Sequence, residues 1–203
     1  MSIVDGARPP ALDEDARAAL FTDARTANTF SDEPVSDAEL SEIWELARWA
    51  PTSANLQPLR VRFVRTPEGK AQLARHIAEG NRAKSLQAPA VAVLAADLDF
   101  HKQIPRTFPS RPELKDRYAD GVVRERTARF NATLQAGYFI LAVRAVGLAA
   151  GPMLGYDAAG IDADLFAGTA LRTILVVNIG HPGERPWLER LPRLGHDDVV
   201  SWA

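Results

Sequence analysis

Apolar and polar positions change period several times along the chain, and each change marks an element. The clearest start is Ser36-Asp37-Ala38-Glu39, a serine followed three residues later by glutamate, which is the capping-box pattern. Leu40, Ile43, Trp44 and Ala47 then recur at helical spacing until Pro51 stops the run. Upstream, residues 1–12, with Pro9-Pro10, read as loose chain, and a short helix is expected from Asp13 toward Thr22. Leu59–Val64 alternates apolar side chains with Arg60 and Arg62, which predicts a half-buried strand. Pro67–Glu79 reads as a helix with Leu73, His76 and Ile77 on one face. Ala88–Ala96 and Leu171–Ile179 are continuous apolar runs, the pattern of strands covered on both faces. Residues 98–120 mix Phe, His, Pro, Arg and Lys without a period, an excursion long enough to serve as a lid. Val122–Gly147 reads as one long helix, followed by a Gly-Pro-Met-Leu-Gly turn at 151–155 and a short helix near Ala158–Phe166. The tail beyond reads as polar and ends in Trp202-Ala203.

The long helix decides the architecture. Between Ala132 and Ala150 nearly every residue is apolar, but Gln135 and Arg144 interrupt the run, so it reads as a buried core helix rather than a membrane span. A helix apolar on nearly all sides must be covered all round. One 203-residue subunit can hardly do that, which points to a homodimer. The expected fold is α+β: a small central sheet flanked by helices, with the long helix at a dimer interface. Residues 1–20 are read as an N-terminal extension and 21–203 as a single domain.

Composition narrows the function by exclusion. Hydrophobic residues make up 46% and charged residues 25% of the chain, an ordinary globular mix. A formal net charge of -2 gives no general pull toward nucleic acid or an anionic membrane. There are no cysteines, so disulfides, thiolate nucleophiles and cysteine-based metal sites are excluded. Met1–Asp15 lacks an apolar core and does not read as a signal peptide, so a cytoplasmic location is expected. No glycine-rich nucleotide loop or hydrolase elbow is present. His76, His101, His181 and His196 lie too far apart for a local metal pair, and no metal is expected.

What remains is Thr52-Ser53-Ala54-Asn55-Leu56-Gln57-Pro58, two hydroxyls and two amides in six positions between Pro51 and Pro58. By composition alone this is equally a turn between helix and strand. Together with Ala50 and Pro51, the segment resembles the Pro-Ser-x-x-Asn-x-Gln-Pro segment of the FMN-dependent nitroreductase family. Four further segments match in order. Arg25-Thr26-Ala27-Asn28-Thr29-Phe30 is similar to the opening Arg-Ser-x-Arg-x-Phe, and Asn81-Arg82-Ala83-Lys84 to Asn-x-x-Lys. Gly151-Pro152-Met153-Leu154-Gly155-Tyr156 is similar to the loop over the flavin, and Arg193–Val200 to the closing Arg-x-Pro-x-x-Glu-x-Val. Asn28 departs from the family, standing where many members carry a second arginine. Asn131-Ala132-Thr133-Leu134-Gln135-Ala136, Arg144–Leu148, Phe166–Thr169 and Arg190–Leu194 bring the chain closest to the malonic semialdehyde reductase subfamily. That group forms 3-hydroxypropanoate in pyrimidine degradation.

The resemblance implies an FMN enzyme using NADPH or NADH, with a small-molecule substrate and flavin sites at a homodimer interface. Its alternatives are a broad nitro or quinone reductase and a flavin-binding protein without turnover. Arg25 and Arg193, then Arg190, are the expected phosphate ligands, with Thr26 and Asn28 beside them; a guanidinium fork suits phosphate. Lys84, oriented by Asn81, is expected at the flavin's pyrimidine edge, where a cation stabilises the charge gained on reduction. Taken alone, Lys84 is a solvated helix lysine. The backbone around Pro152, Met153, Leu154 and Gly155 is expected near the reactive nitrogen of the ring. Pro51, Thr52, Ser53 and Asn55 are expected to come from the other subunit. No protein nucleophile is expected, because the flavin carries the hydride. Lys102, Arg106, Arg111, Lys115 and Arg117 are all available to an acidic substrate, and the sequence does not choose among them.

Overall fold

The computed structural model describes residue 6 and residues 10–203. The loose segment expected over residues 1–12 lies mostly outside the described residues. Among the described residues four strands form one sheet: β1 Leu59–Val64, β2 Ala90–Asp97, β3 Ala149–Met153 and β4 Leu171–Gly180, in the order β1-β2-β4-β3. Every neighbouring pair is antiparallel, with Val61 opposite Leu94, Ala92 opposite Val177 and Gly151 opposite Asn178. The two central strands are β2 and β4, the two continuous apolar runs of the sequence. Their side chains alternate between two cores, as a strand's period of two requires. Ala92, Leu94, Val177 and Ile179 enter one core, and Val91, Val93 and Val176 enter the other.

Among the described residues there are eight α-helices. In chain order they are α1 Glu14–Arg17, α2 Asp37–Ala47, α3 Pro67–Ala74, α4 Glu79–Gln87, α5 Ile104–Thr107, α6 Gly121–Ala145, α7 Ala158–Leu165 and α8 His196–Val199. The expected Asp13–Thr22 helix forms in two pieces, α1 capped by Asp13 and a π turn over Ala18–Thr22. In α2 the capping box is complete. Ser36 Oγ accepts from Glu39 N at 3.2 Å, and Ser36 N donates to Glu39 Oε2 at 2.7 Å. Its Leu40, Ile43 and Ala47 join the first core, against α6.

Three readings of the pattern need correction. The helix from Pro67 ends at Ala74, not Glu79. The chain there turns to bridge Ile77 to Tyr156 and then starts α4, which the hydrophobic pattern did not reveal because Ser85 alone of its residues is buried. The expected turn at 151–155 is in part a strand, and β4 is therefore the fourth strand rather than the third. Pro152 is tolerated because β3 pairs on one side only. Gly151 is needed there, since a Cβ would sit 3.0 Å from the Ala27 carbonyl oxygen. The tail, read as polar, leaves Leu188, Leu191, Leu194, Val199 and Trp202 exposed.

The excursion is anchored rather than loose. Phe100, Ile104 and Leu114 are buried in the first core, and Phe100 meets Tyr118 edge to face at 4.9 Å. One face of α6 is buried through Ala128, Asn131, Ala132, Gln135, Phe139 and Val143. The other leaves Phe130 63% and Leu134 and Tyr138 43% exposed. Among the described residues no helix is long and apolar enough to cross a membrane.

Candidate functional site

The segment after the π turn is held on both sides. Ala27 N donates to Ala150 O of β3 at 3.1 Å, and Asn28 N donates to Pro186 O at 3.0 Å. Thr29 Oγ1 donates to Glu184 O at 2.7 Å. This clamping lays residues 24–28 against the start of the tail. The two stretches enclose a cavity of about 400 Å³ lined by Arg25, Thr26, Asn28, Arg190 and Arg193, with Glu189 at its wall. Arg25 Nη1 donates to Leu188 O at 3.0 Å, and Arg190 Nη2 to Ala24 O at 3.4 Å. Arg193 turns its Nη1 onto Leu191 O at 2.8 Å. None of the three guanidiniums has an ion-pair partner among the described residues.

Asn28 also lines a neighbouring cavity of about 460 Å³, whose far wall is Gly80, Ala83, Lys84 and Gln87 of α4. The half-buried Lys84 likewise has no ion-pair partner among the described residues. Asn81 stands against the loop after β3. A Cβ on Gly155 would lie 2.5 Å from Asn81 Nδ2 and 3.3 Å from Ala78 Cβ, so glycine lets the Asn81 amide lie close against the loop. Ala78 N donates to Gly155 O at 2.9 Å, which ties this loop to the start of α4. Met153 is a core residue, its sulfur 3.8 Å from Ser85 Oγ, while the Leu154 side chain is 73% exposed. Tyr156, next along, has its phenol pushed up to about 12 by burial, and the Asp162 carboxylate adds to the shift.

The Thr52–Gln57 loop sits elsewhere and is strained. Ala54, Asn55 and Gln57 all have positive φ (47°, 54° and 46°), a region non-glycine residues rarely enter. Side chains hold it: Gln57 N donates to Thr52 Oγ1 at 3.2 Å, and Asn55 Nδ2 to Thr107 O at 2.7 Å. Pro51, Thr52, Ser53 and Asn55 line neither of the two cavities. The fold thus brings together Arg25, Thr26, Asn28, Arg190 and Arg193, and beside them Lys84, Asn81 and Gly155. It leaves the Pro51–Asn55 group apart within one chain.

Two buried amides of α6 were given no place in the site by the sequence reading. Asn131 Oδ1 accepts from Ser53 N at 2.8 Å, and Gln135 Oε1 accepts from Leu59 N at 2.9 Å. The signal available was two amides one turn apart inside an otherwise apolar run. Of the basic residues in the excursion, Lys102 pairs with Asp99 at 2.6 Å and Arg111 with Glu113 at 2.5 Å. Arg106 instead lines a cavity of about 360 Å³ with Trp44, Gln57 and Thr107. Among the described residues no group of three or more His, Asp or Glu side chains is placed to hold a metal ion.

Comparison with known proteins bears on this arrangement. The sequence model described as Nitroreductase family matches residues 22–181. A Streptomyces coelicolor protein provisionally named NADH dehydrogenase/NAD(P)H nitroreductase is 59% identical over 96% of both chains. A Bacillus subtilis structure described as a nitroreductase superposes with a TM-score of 0.82 at 22% identity, covering 94% of this chain and all of that one. One from Exiguobacterium sibiricum, described as a nitroreductase in complex with FMN, gives 0.79 at 21% identity over 97% of this chain and 100% of its own.

Proposed function

The chain belongs to the nitroreductase family, and from that premise we propose that it is an FMN-dependent oxidoreductase fed by NADPH or NADH. The observation that carries this reading is the 400 Å³ cavity, lined by Arg25, Arg190 and Arg193, none of them in an ion pair among the described residues, with one carboxylate, Glu189, at its wall. Like charges gathered at one place repel unless an anion joins them. A phosphate monoester suits the site, because each guanidinium offers a planar fork to its oxygens. The 460 Å³ cavity, which shares Asn28 with the first, gives the rest of the cofactor a place between Asn28-Thr29 and α4. The residues therefore fit FMN. When bound, it supplies the hydride-transfer chemistry that no side chain here could supply.

The protein's own residues bind and orient. Arg25 and Arg190, anchored through backbone carbonyls, present their remaining N–H groups to the phosphate, with Arg193, Thr26 and Asn28 beside them. Lys84 places a cation at the pyrimidine edge, and Asn81 packs against Gly155 to hold the loop carrying Pro152, Met153 and Leu154. Pro51, Thr52, Ser53 and Asn55 act on the cofactor of a second copy, which explains why one chain leaves them apart. The uncovered Phe130, Leu134 and Tyr138 of α6 support that homodimer. The finer reading is reduction of malonic semialdehyde to 3-hydroxypropanoate. It rests on the subfamily residues and on Arg106, which of the excursion's basic residues lines a cavity shared with Gln57. A second reading, a nitro or quinone reductase, is favoured by the name of the 59% identical relative.

Two measurements decide. Protein incubated with FMN and then desalted should retain one flavin per chain, and retention of none overturns the flavin reading. Values of kcat/KM should be higher for malonic semialdehyde than for nitroarenes or quinones. The reverse order assigns the enzyme to the second reading.

A further inference from the structure

We propose that Asn131 and Gln135 are positioning residues: a two-point clamp on α6 that holds the strained Ser53–Leu59 loop in the shape it presents to a flavin. The proposal rests on the flavin reading above and deepens it. Asn131 and Gln135 stand one helical turn apart on the buried face of α6, each only 1% exposed. Asn131 Oδ1 takes the N–H of Ser53 at the start of the loop, and Gln135 Oε1 takes the N–H of Leu59 at its end. Between these two points lie the three positive-φ residues Ala54, Asn55 and Gln57. A backbone held there persists only where its surroundings determine it.

Packing alone does not call for these amides. Asparagine is a poor residue in a helix interior, and a helix that needed only to fill the core would carry leucine at both places. Gln135 moreover leaves its Nε2 buried without a partner among the described residues, an unfavourable arrangement that makes sense if the acceptor oxygen is what the position requires. The Asn131 amide is fixed in orientation by both its bonds. Its Nδ2 donates to Thr127 O at 2.9 Å while its oxygen faces Ser53 N, and a flipped amide would set donor against donor. Phe130 and Leu134, the residues just before each amide, are on the uncovered face. The helix that holds the loop is thus the one a second copy would seat.

The test compares Asn131→Leu, Asn131→Asp and Gln135→Met with the unaltered full-length protein. FMN and riboflavin titrations are read beside amide hydrogen exchange. Asn131→Leu should lose exchange protection at Ser53 and Gln135→Met at Leu59. Each should weaken FMN and riboflavin alike, by roughly 5- to 150-fold for one unpaired buried donor. Equal loss for both flavins separates the loop from the phosphate end. Asn131→Asp supplies the conservative check. Its protonated carboxyl both accepts from Ser53 and donates to Thr127, and burial raises its pKa. Affinity relative to the unaltered protein should therefore recover on acidification and fade as pH rises. Flavin affinity unchanged in Asn131→Leu and Gln135→Met, with the Ser53 and Leu59 amides still protected, overturns the clamp and leaves the flavin reading standing. Failure of the unaltered protein to bind any flavin overturns the flavin reading and the clamp with it.

Discussion

Arg25 and Arg193 occupy one cavity but are not equivalent. Arg25 spends Nη1 on Leu188 O and keeps its other donors, whereas Arg193 folds Nη1 onto Leu191 O and Pro192 O. A charge-assisted bond to phosphate is worth about 1.5–3 kcal/mol, so Arg25→Ala should weaken FMN about 10- to 150-fold. Arg193→Ala should fall at the lower end, because its guanidinium must first leave its own backbone. Riboflavin, without a phosphate, should be almost insensitive to both. Calorimetric titration of the two ligands checks this, and equal losses would place the arginines outside the phosphate site. Lys84 is expected to act on a different quantity. Lys84→Met keeps the length of the stem and removes the charge, so the midpoint potential of bound flavin should fall while affinity for oxidised FMN changes less. Spectroelectrochemical titration separates the cases: an unchanged potential with a large loss of oxidised-FMN affinity makes Lys84 an ordinary anchor, and no change in either removes it from the flavin.

Among the elements, α2 shows how local chemistry fixes a boundary. Ser36→Ala removes the acceptor for Glu39 N and should cost about 1 kcal/mol, read from chemical denaturation. The hydrogen bonds from Ser36 hold the Glu39 carboxyl below its usual range. A carboxyl held low in the folded state stabilises the fold above its ordinary pKa, and that contribution is lost as pH falls through the lowered value. Glu39→Gln should therefore flatten the acid side of the stability curve. Near Gly155 the sign is opposite. The Tyr156 phenol, pushed up to about 12, favours its neutral form, so its contribution is present below its ordinary pKa and lost as pH rises. Tyr156→Phe should remove an alkaline destabilisation visible in melts above about pH 10. These elements also show where sequence sufficed. The box at Ser36, the runs of β2 and β4 and the length of α6 were legible because each is set by capping or burial of its own residues. α4 was not, because it carries no apolar stripe, and β3 was not, because Gly151 and Pro152 are strand residues only at an edge beside Ala27. Of the site, motif order pointed to Arg25, Lys84 and Gly155, but Asn131 and Gln135 acquire meaning only once α6 lies under the loop.

For the whole molecule, the separation of the two proposed binding groups is what calls for explanation. Arg25, Thr26, Asn28, Arg190 and Arg193 line one cavity and Asn28 and Lys84 an adjoining one, while the Pro51–Asn55 group lines neither. Phe130, Leu134 and Tyr138 on α6, and Leu188, Leu191, Leu194 and Trp202 in the tail, are apolar side chains left exposed among the described residues. Burying such surface is favourable at about 25 cal/mol per Å², so a second copy seated on α6 is the expected resolution. Light scattering should give twice the 22.1 kDa chain mass. Mass alone does not show that the site is shared, but subunit mixing does. In one variant the phosphate side is disabled by Arg25→Ala with Arg193→Ala, and in the other the loop is disabled by Asn131→Leu. Each homodimer should bind flavin weakly at both sites. If every site takes its phosphate side from one chain and its loop from the other, the mixed dimer has one doubly damaged site and one intact site. Mixed at a flavin concentration between the intact and damaged dissociation constants, the heterodimers should therefore recover one bound flavin per dimer. If each chain builds its own site, every site in the mixture keeps a lesion and nothing is recovered. Recovery after unfolding and co-refolding of the two variants, but not after simple mixing of stable homodimers, would further tie it to subunit exchange.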